Sequence, residues 1–143
     1  ALPDDRIGLI WFAGKAYLPM PLTADEGAAK MFVQSANPDD IPIQGTVLGE
    51  ALQLAAQNFP EESKRHKIVM LITDGEDHDE SAVERAQQLK EQGILLLTIG
   101  LGTEDGSTIT DPQTNEFKKD KNGETVISKL NETLLKKMAE ANG

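Results

Sequence analysis

An apolar run that ends in a cluster of carboxylates constrains this chain more than any other feature. Residues 68–72 read IVMLI, and Thr73, Asp74, Gly75 and Glu76 follow directly. Consecutive apolar residues without polar alternation are typical of a strand buried on both faces of a parallel sheet. Because ligands of open α/β sheets bind at the carboxyl ends of strands, Asp74 lies where binding or chemistry is expected. A simple turn at Asp74 and Gly75 is the alternative that this stretch leaves open.

Length and charge narrow the class of protein. At 143 residues the chain has the size of one domain, and we expect residues 1–143 to form a single domain. The net charge of −10 disfavours nucleic acid and anionic membranes as partners. No cysteine is present, which excludes disulfides and thiolate metal sites. The apolar stretches are all shorter than the roughly 18 residues that a membrane-spanning helix needs, so we expect this chain to be soluble.

Strand and helix patterns alternate along the chain, which predicts an α/β fold with a mostly parallel sheet covered by helices on both faces. The second strand contains Pro19 and Pro21. Proline cannot donate to a strand ladder, so this strand belongs at a sheet edge. We expect strands at residues 6–12, 16–22, 68–72 and 94–100.

The helix patterns come with recognisable end signals. Thr23 to Glu26 has the form of a capping box, which predicts a helix beginning at Thr23. Further helices are expected after Thr46, over about residues 81–92 with Gly93 as the terminator, and from Asn131. Between the last strand and the last helix, Asn122-Gly123 is a strong turn signal and predicts an extra β-hairpin near residues 116–127.

Four motifs follow one another along the chain, at residues 5–14, 21–23, 44–52 and 72–78. Together they resemble the von Willebrand factor type A domain. More narrowly, they resemble the membrane-anchored bacterial Bat subfamily, which is named for a link to aerotolerance. The resemblance covers nearly the whole chain and implies a Rossmann-like fold and a non-enzymatic, protein-binding function.

The resemblance also implies a metal-ion-dependent adhesion site. In such a site a divalent cation, Mg²⁺ first among the candidates, is held at the top of the sheet and binds a carboxylate of a partner protein. Oxygen ligands and an open coordination position suit Mg²⁺. Thr46 matches the family's threonine ligand and Asp74 its aspartate ligand. The matching rim positions are Gly14, Gly45, Glu76 and Asp77.

The chain departs from the family pattern at its beginning. The D-x-S-x-S motif, which supplies further metal ligands, is not found in the sequence, and Ala1 stands just before the family's second strand. We therefore expect an N-terminally truncated domain that lacks the first, central strand and the first helix. With Thr46 and Asp74 alone the metal site is incomplete, so we expect millimolar or weaker affinity and an unoccupied site in this fragment.

The absent strand would lie between the strands at residues 6–12 and 68–72. Unpaired backbone groups at an open apolar edge invite pairing with another strand. We therefore expect either direct pairing of these two strands, or self-association of the chain by strand exchange.

The resemblance places the parent protein in the bacterial inner membrane with this domain in the periplasm, in an envelope or stress-related complex. Assembly with a MoxR-type ATPase is a further implied partnership. The alternative function is a metal-dependent hydrolase or phosphatase that uses Asp74. Against it, Asp74 and Asp77 are three positions apart, whereas aspartate phosphatases place their paired aspartates two apart.

Overall fold

The structure is a computed structural model that describes residues 5–37, 45–61, 63, 65–77, 81–110, 114, 116, 117, 119 and 123–143. Several residues of the predicted motifs lie outside the described residues, namely Gln44, His78 and Asn122. The helices are α1 (Glu26–Gln34), α2 (Leu48–Asn58), α3 (Ala82–Glu91) and α4 (Glu132–Asn142). The strands are β1 (Ile7–Phe12), β2 (Ala16–Thr23), β3 (Lys67–Thr73), β4 (Ile94–Gly100), β5 (Ser107–Thr108) and β6 (Ile127–Ser128).

The first two strands form an antiparallel hairpin. Ile7 pairs with Thr23 at one end and Phe12 with Ala16 at the other, with irregular register between them. In the described part of the chain, β2 pairs with β1 alone, which confirms the edge position predicted from its two prolines. Both α1 and α2 contact this hairpin.

The cap of α1 differs from the sequence prediction. Its N-cap is Asp25, whose side chain accepts a 2.9 Å hydrogen bond from the Ala28 N–H. Thr23 is the last residue of β2, and its hydroxyl accepts from the Asp25 N–H instead. The capping box at Thr23 was therefore a wrong prediction, because a carboxylate two residues later takes the capping position.

The next two strands run parallel, with α3 between them, as predicted. The register extends without a break from Lys67 opposite Ile94 to Thr73 opposite Gly100. The inward side chains pack against α2, α3 and α4 in one hydrophobic core. Its fully buried members include Leu48, Leu52, Leu89, Ile94 and Met138.

One face of the β3–β4 pair is open, so the prediction of a strand buried on both faces is wrong for β3. Ile68, Met70 and Ile72 are each about half exposed, and in the register they stand beside Leu95, Leu97 and Ile99 of β4, which are also exposed. In the described part of the chain, alternate residues of the apolar run pack in the core, and the residues between them are exposed. We call the six exposed residues the open face.

The two hairpin strands and the two parallel strands belong to separate sheets. Among the strands that the structure describes, β1 pairs with β2 and β3 pairs with β4. Direct pairing of β1 with β3, one of the two expected ways of closing the gap, is therefore contradicted. Each of these strands keeps one edge without a ladder partner in the described part of the chain.

The segment before α4 is an irregular antiparallel ribbon. Thr108 pairs with Ile127, while single bridges join Thr110 to Phe117 and Lys119 to Thr125. The Lys119 bridge agrees with the predicted hairpin. Phe117 and Ile127, however, pair with the stretch 108–110 rather than with each other, because this stretch supplies a third antiparallel segment that the sequence prediction left out.

The last helix begins as predicted. Asn131 is its N-cap and accepts a 3.1 Å hydrogen bond from the Leu134 N–H. At the other end Asn142 is buried, and its Oδ1 accepts from the Leu96 N–H at 2.7 Å. Its Nδ2 donates to the carbonyls of Ala86 and Ile94 at 3.1 and 3.0 Å. One side chain thereby joins α4 to α3 and β4.

Candidate metal-binding and interaction site

The loop that follows β3 is folded by its own side chains. The Gly75 N–H donates to the Thr73 hydroxyl, and the Glu76 N–H donates to Asp74 Oδ1, both at 3.1 Å. Such short-range bonds from side chain to backbone stabilise a tight turn. Gly75 has a φ of +78°, a conformation that glycine adopts without strain. The loop is therefore an ordered turn that also presents a carboxylate, so the two readings of Asp74 are compatible.

Asp77 connects this loop to the start of α2. The Leu48 N–H donates to Asp77 Oδ1 at 3.3 Å. Val47, the N-cap residue of α2, makes no side-chain capping hydrogen bond, so Asp77 supplies an acceptor to the first turn from another part of the chain. Thr46 lies two residues before Leu48 and is half-buried. The β3 loop, which carries Asp74, therefore contacts the helix start that follows Thr46.

The carboxylate of Asp74 is also held from the side of the ribbon. The Ser128 hydroxyl donates to Asp74 Oδ2 at 2.8 Å. The main chain beside it adds two bonds, from the Lys129 N–H to Glu76 Oε1 at 3.1 Å and from the Asn131 N–H to the Asp74 carbonyl at 2.8 Å. Sequence reasoning missed Ser128, because no motif marks it and it lies 54 positions from Asp74.

The predicted rim residues are placed as follows. Glu76 and Asp77 lie in the β3 loop and make the contacts given above. Gly45 has a φ of +125° and immediately precedes Thr46. Gly14 lies in the turn between β1 and β2, and the neighbouring Ala16 N–H donates to Glu50 Oε1 in the first turn of α2. The start of α2 thus contacts both the first residue of β2, just after the turn that carries Gly14, and the β3 loop.

The chemistry of these donors suits a hard cation. A threonine hydroxyl and aspartate oxygens are the ligand types that Mg²⁺ accepts. Within the described ranges, no three His, Cys, Asp or Glu side chains are grouped so as to hold a metal ion. The residues present therefore fit the cation in ligand type, and water or further groups would have to complete the octahedral coordination that Mg²⁺ requires.

Fold and site together define an α/β domain that presents an oxygen-rich loop at the carboxyl end of a parallel strand, beside a helix N-terminus. This chain belongs to the von Willebrand factor type A domain family, whose model matches residues 2–141. Members of the family are generally non-enzymatic adhesion or interaction modules, and they commonly bind a divalent cation at a metal-ion-dependent adhesion site.

Two solved structures show that the domain is of the Bat type. BatB from Bacteroides thetaiotaomicron, a conserved hypothetical protein, is 37% identical with a TM-score of 0.93, and the match covers 99% of this chain and 69% of that one. An aerotolerance-related membrane protein from Bacteroides fragilis is 35% identical with a TM-score of 0.92, covering 99% and 70%. A search of curated proteins finds no match. No helix in the described part of this chain is long and apolar enough to cross a membrane.

Proposed function

We propose that this domain binds a partner protein through a divalent cation, held by Thr46 and Asp74, that accepts a carboxylate of the partner. The observation that carries this proposal is the hydrogen bond between Asp77 Oδ1 and the Leu48 N–H, because it joins the Asp74 loop to the helix start that follows Thr46. This contact supports the assignment of Thr46 and Asp74 to one site, and both residues carry oxygen donors of the kind expected for Mg²⁺.

The charge of the chain supports the participation of a cation in such binding. With a net charge of −10, the domain repels an acidic partner. A bound divalent ion reverses the local sign and offers an open ligand position to the partner's carboxylate. A neutral hydroxyl such as that of Thr46 leaves more of the cation's charge available to the partner than a second carboxylate does.

Binding is favoured over catalysis by the way Asp74 is held. Its Oδ1 accepts a hydrogen bond from the Glu76 N–H and its Oδ2 from the Ser128 hydroxyl. A carboxylate with donors on both oxygens has a fixed orientation and lowered nucleophilicity. This arrangement supports the role of a positioned ligand and argues against the attacking group of a phosphatase.

We further propose that the parent protein works at the cell envelope. The supporting relative from Bacteroides fragilis is described as an aerotolerance-related membrane protein. A periplasmic domain anchored by segments outside this chain would meet partner proteins of the envelope, an assembly with a MoxR-type ATPase among them.

Paramagnetic broadening by Mn²⁺, followed by NMR on the amides of this chain, tests the metal site. We expect broadening centred on residues 45–48 and 74–77, with millimolar or weaker affinity because Thr46 and Asp74 are the two ligands assigned. Asp74→Asn and Thr46→Val should each remove that centre of broadening. The matched control is Glu84→Gln, which changes an exposed carboxylate in the first turn of α3. Broadening spread evenly over the acidic surface, and unaffected by Asp74→Asn, would contradict the proposal.

A further inference from the structure

Asp74 is oriented by a residue that lies outside the family's motifs. The Ser128 hydroxyl donates to Asp74 Oδ2 at 2.8 Å, a usual distance for an O–H···O hydrogen bond. The Glu76 N–H donates to Oδ1 of the same carboxylate at 3.1 Å. An aspartate carboxylate rotates broadly about χ2 when it is free. The Thr73 hydroxyl adds a longer contact to Oδ1, at 3.5 Å. Donors on both oxygens fix the plane of the group, and Ser128 supplies the donor to Oδ2 from a distant segment.

Ser128 is itself held in place by the ribbon. It stands opposite Ser107 in the β5–β6 pairing, next to the pair of Thr108 and Ile127. Gly106 precedes β5 and has a φ of +82°. A Cβ at Gly106 would lie 2.7 Å from the Lys129 side chain and 2.8 Å from the Ile127 side chain. This close approach leaves little room for the strand to shift. The position of the hydroxyl is therefore set by the fold of the ribbon.

The neighbours of Ser128 fasten the same loop through the main chain. The Lys129 N–H donates to Glu76 Oε1 and the Asn131 N–H donates to the Asp74 carbonyl. These two bonds hold the loop as a whole, but neither reaches the carboxylate of Asp74. Of the three contacts, the one from Ser128 alone bears on the group that would bind a cation.

We infer that Ser128 is a positioning residue for Asp74, and that its hydroxyl sets the affinity of this corner for a divalent cation. The inference rests on the proposed function, since it deepens the account of the same site. Removal of groups that orient metal ligands typically lowers metal affinity by about 10- to 100-fold. We expect a loss of about tenfold in Mg²⁺ affinity on removal of the hydroxyl.

The test compares Ser128→Ala with Ser128→Thr, which keeps a hydroxyl, and with Ser107→Ala, which removes the exposed serine opposite in the ribbon. Two quantities are measured on each variant by NMR: hydrogen exchange of the Glu76 amide without metal, and Mg²⁺ affinity from chemical-shift titration. We expect Ser128→Ala to speed the exchange and to lower the affinity, each by about tenfold. Ser128→Thr and Ser107→Ala should stay within about twofold of the unmodified chain.

The outcomes separate this inference from the proposed function. An unchanged hydrogen-exchange rate of the Glu76 amide in Ser128→Ala overturns the positioning role, irrespective of the Mg²⁺ affinity. Faster exchange with unchanged Mg²⁺ affinity overturns the link between Ser128 and the cation. If the unmodified chain shows no site-specific shifts with Mg²⁺, the proposed function and the affinity claim both fail. The exchange comparison then still decides whether Ser128 orients Asp74.

Discussion

Asp77, in the loop after β3, accepts a hydrogen bond from the main chain of Leu48 at the start of α2. This contact spans 29 positions and gives α2 an acceptor that its own N-cap residue, Val47, does not supply. The acidic residue also places negative charge beside the positive end of the helix dipole. The rim of the candidate site and the stability of α2 therefore depend on the same carboxylate.

Replacement of Asp77 should measure this contribution. We expect Asp77→Ala to lower the free energy of unfolding by about 1 kcal/mol, the usual value of a lost helix cap. Asp77→Asn keeps an acceptor oxygen and should lose less. Urea denaturation of the three chains provides the values. Equal losses for Ala and Asn would show that charge, rather than the hydrogen bond, is what α2 requires.

Gly75 should tolerate alanine less well than Gly93, although both have positive φ. A Cβ at Gly75 would lie 2.9 Å from the Asn131 carbonyl oxygen, whereas at Gly93, with a φ of +69°, it would meet nothing within 4 Å. Left-handed backbone costs a non-glycine residue about 1–2 kcal/mol at either position. We expect Gly75→Ala to be at least about 1 kcal/mol more destabilising than Gly93→Ala in urea denaturation, because overpacking adds to the backbone strain. Similar losses would argue against a tight approach of the β3 loop to α4.

Asn142 should be more important than its place near the end of the chain suggests. Asn142→Leu removes the acceptor for the Leu96 N–H and the donor for two carbonyls in a buried environment. We expect a loss of about 3 kcal/mol in the free energy of unfolding, because groups left without partners retain their desolvation cost. Gln87→Leu, an exposed change on α3, is the control and should stay within about 0.5 kcal/mol of the unmodified chain.

The ion pair on α4 makes a prediction about pH. Lys136 Nζ lies 2.9 Å from Glu132 Oε1. The hydrogen bond from Lys136 is the largest cause that lowers the pKa of Glu132 below its ordinary value of 4.5, and a hydrogen bond involving Glu104 is the next largest. Lys136→Gln should raise that pKa, as measured by NMR titration of the carboxyl carbon, whereas Lys137→Gln should leave it nearly unchanged. A lowered pKa of Glu132 stabilises the fold at pH values above the ordinary pKa. The difference in stability between the unmodified chain and Lys136→Gln should therefore disappear as the pH falls below the folded-state pKa of Glu132. Both side chains are exposed, so that difference should be small.

The open face predicts self-association of this chain. Exposed apolar patches larger than a few hundred Å² are rare on monomeric proteins, and β3 adds an edge without a ladder partner among the described strands. We expect light scattering to give a mass above that of the monomer, and Met70→Glu to reduce it. Val33→Glu changes a residue of α1 that is 60% exposed, compared with 58% for Met70, and should leave the mass unchanged. A monomeric mass for the unmodified chain at high micromolar concentration would contradict this prediction.

Local signals in the sequence were sufficient for most elements of the fold. Gly93 ends α3 and Asn131 caps α4 as predicted, because such end signals act over only a few residues. The prolines of β2 likewise identified an edge strand. The capping box at Thr23 failed because Asp25, also within reach of the helix start, competes for the same role.

Features that depend on distant parts of the chain could not be predicted in the same way. Whether Met70 is buried or exposed depends on which elements pack against the sheet, and the apolar residues around it in the sequence do not show that. Asp74 and Thr46 were identified through resemblance to a family, and their roles as ligands stay predictions. Neither Ser128 nor the capping role of Asp77 has a local pattern, since each acts on a residue far away in sequence.

The separation of 54 positions between Asp74 and Ser128 has a consequence for the order in which the molecule is assembled. During translation the Asp74 loop is synthesised well before the ribbon. Contacts between distant segments form only when the chain between them closes into a loop. The acidic loop therefore acquires its final geometry late, once the last third of the chain has been made. A nascent or cleaved chain that stops before Ser128 contains both candidate ligands, Thr46 and Asp74, yet it lacks the hydroxyl that orients the carboxylate.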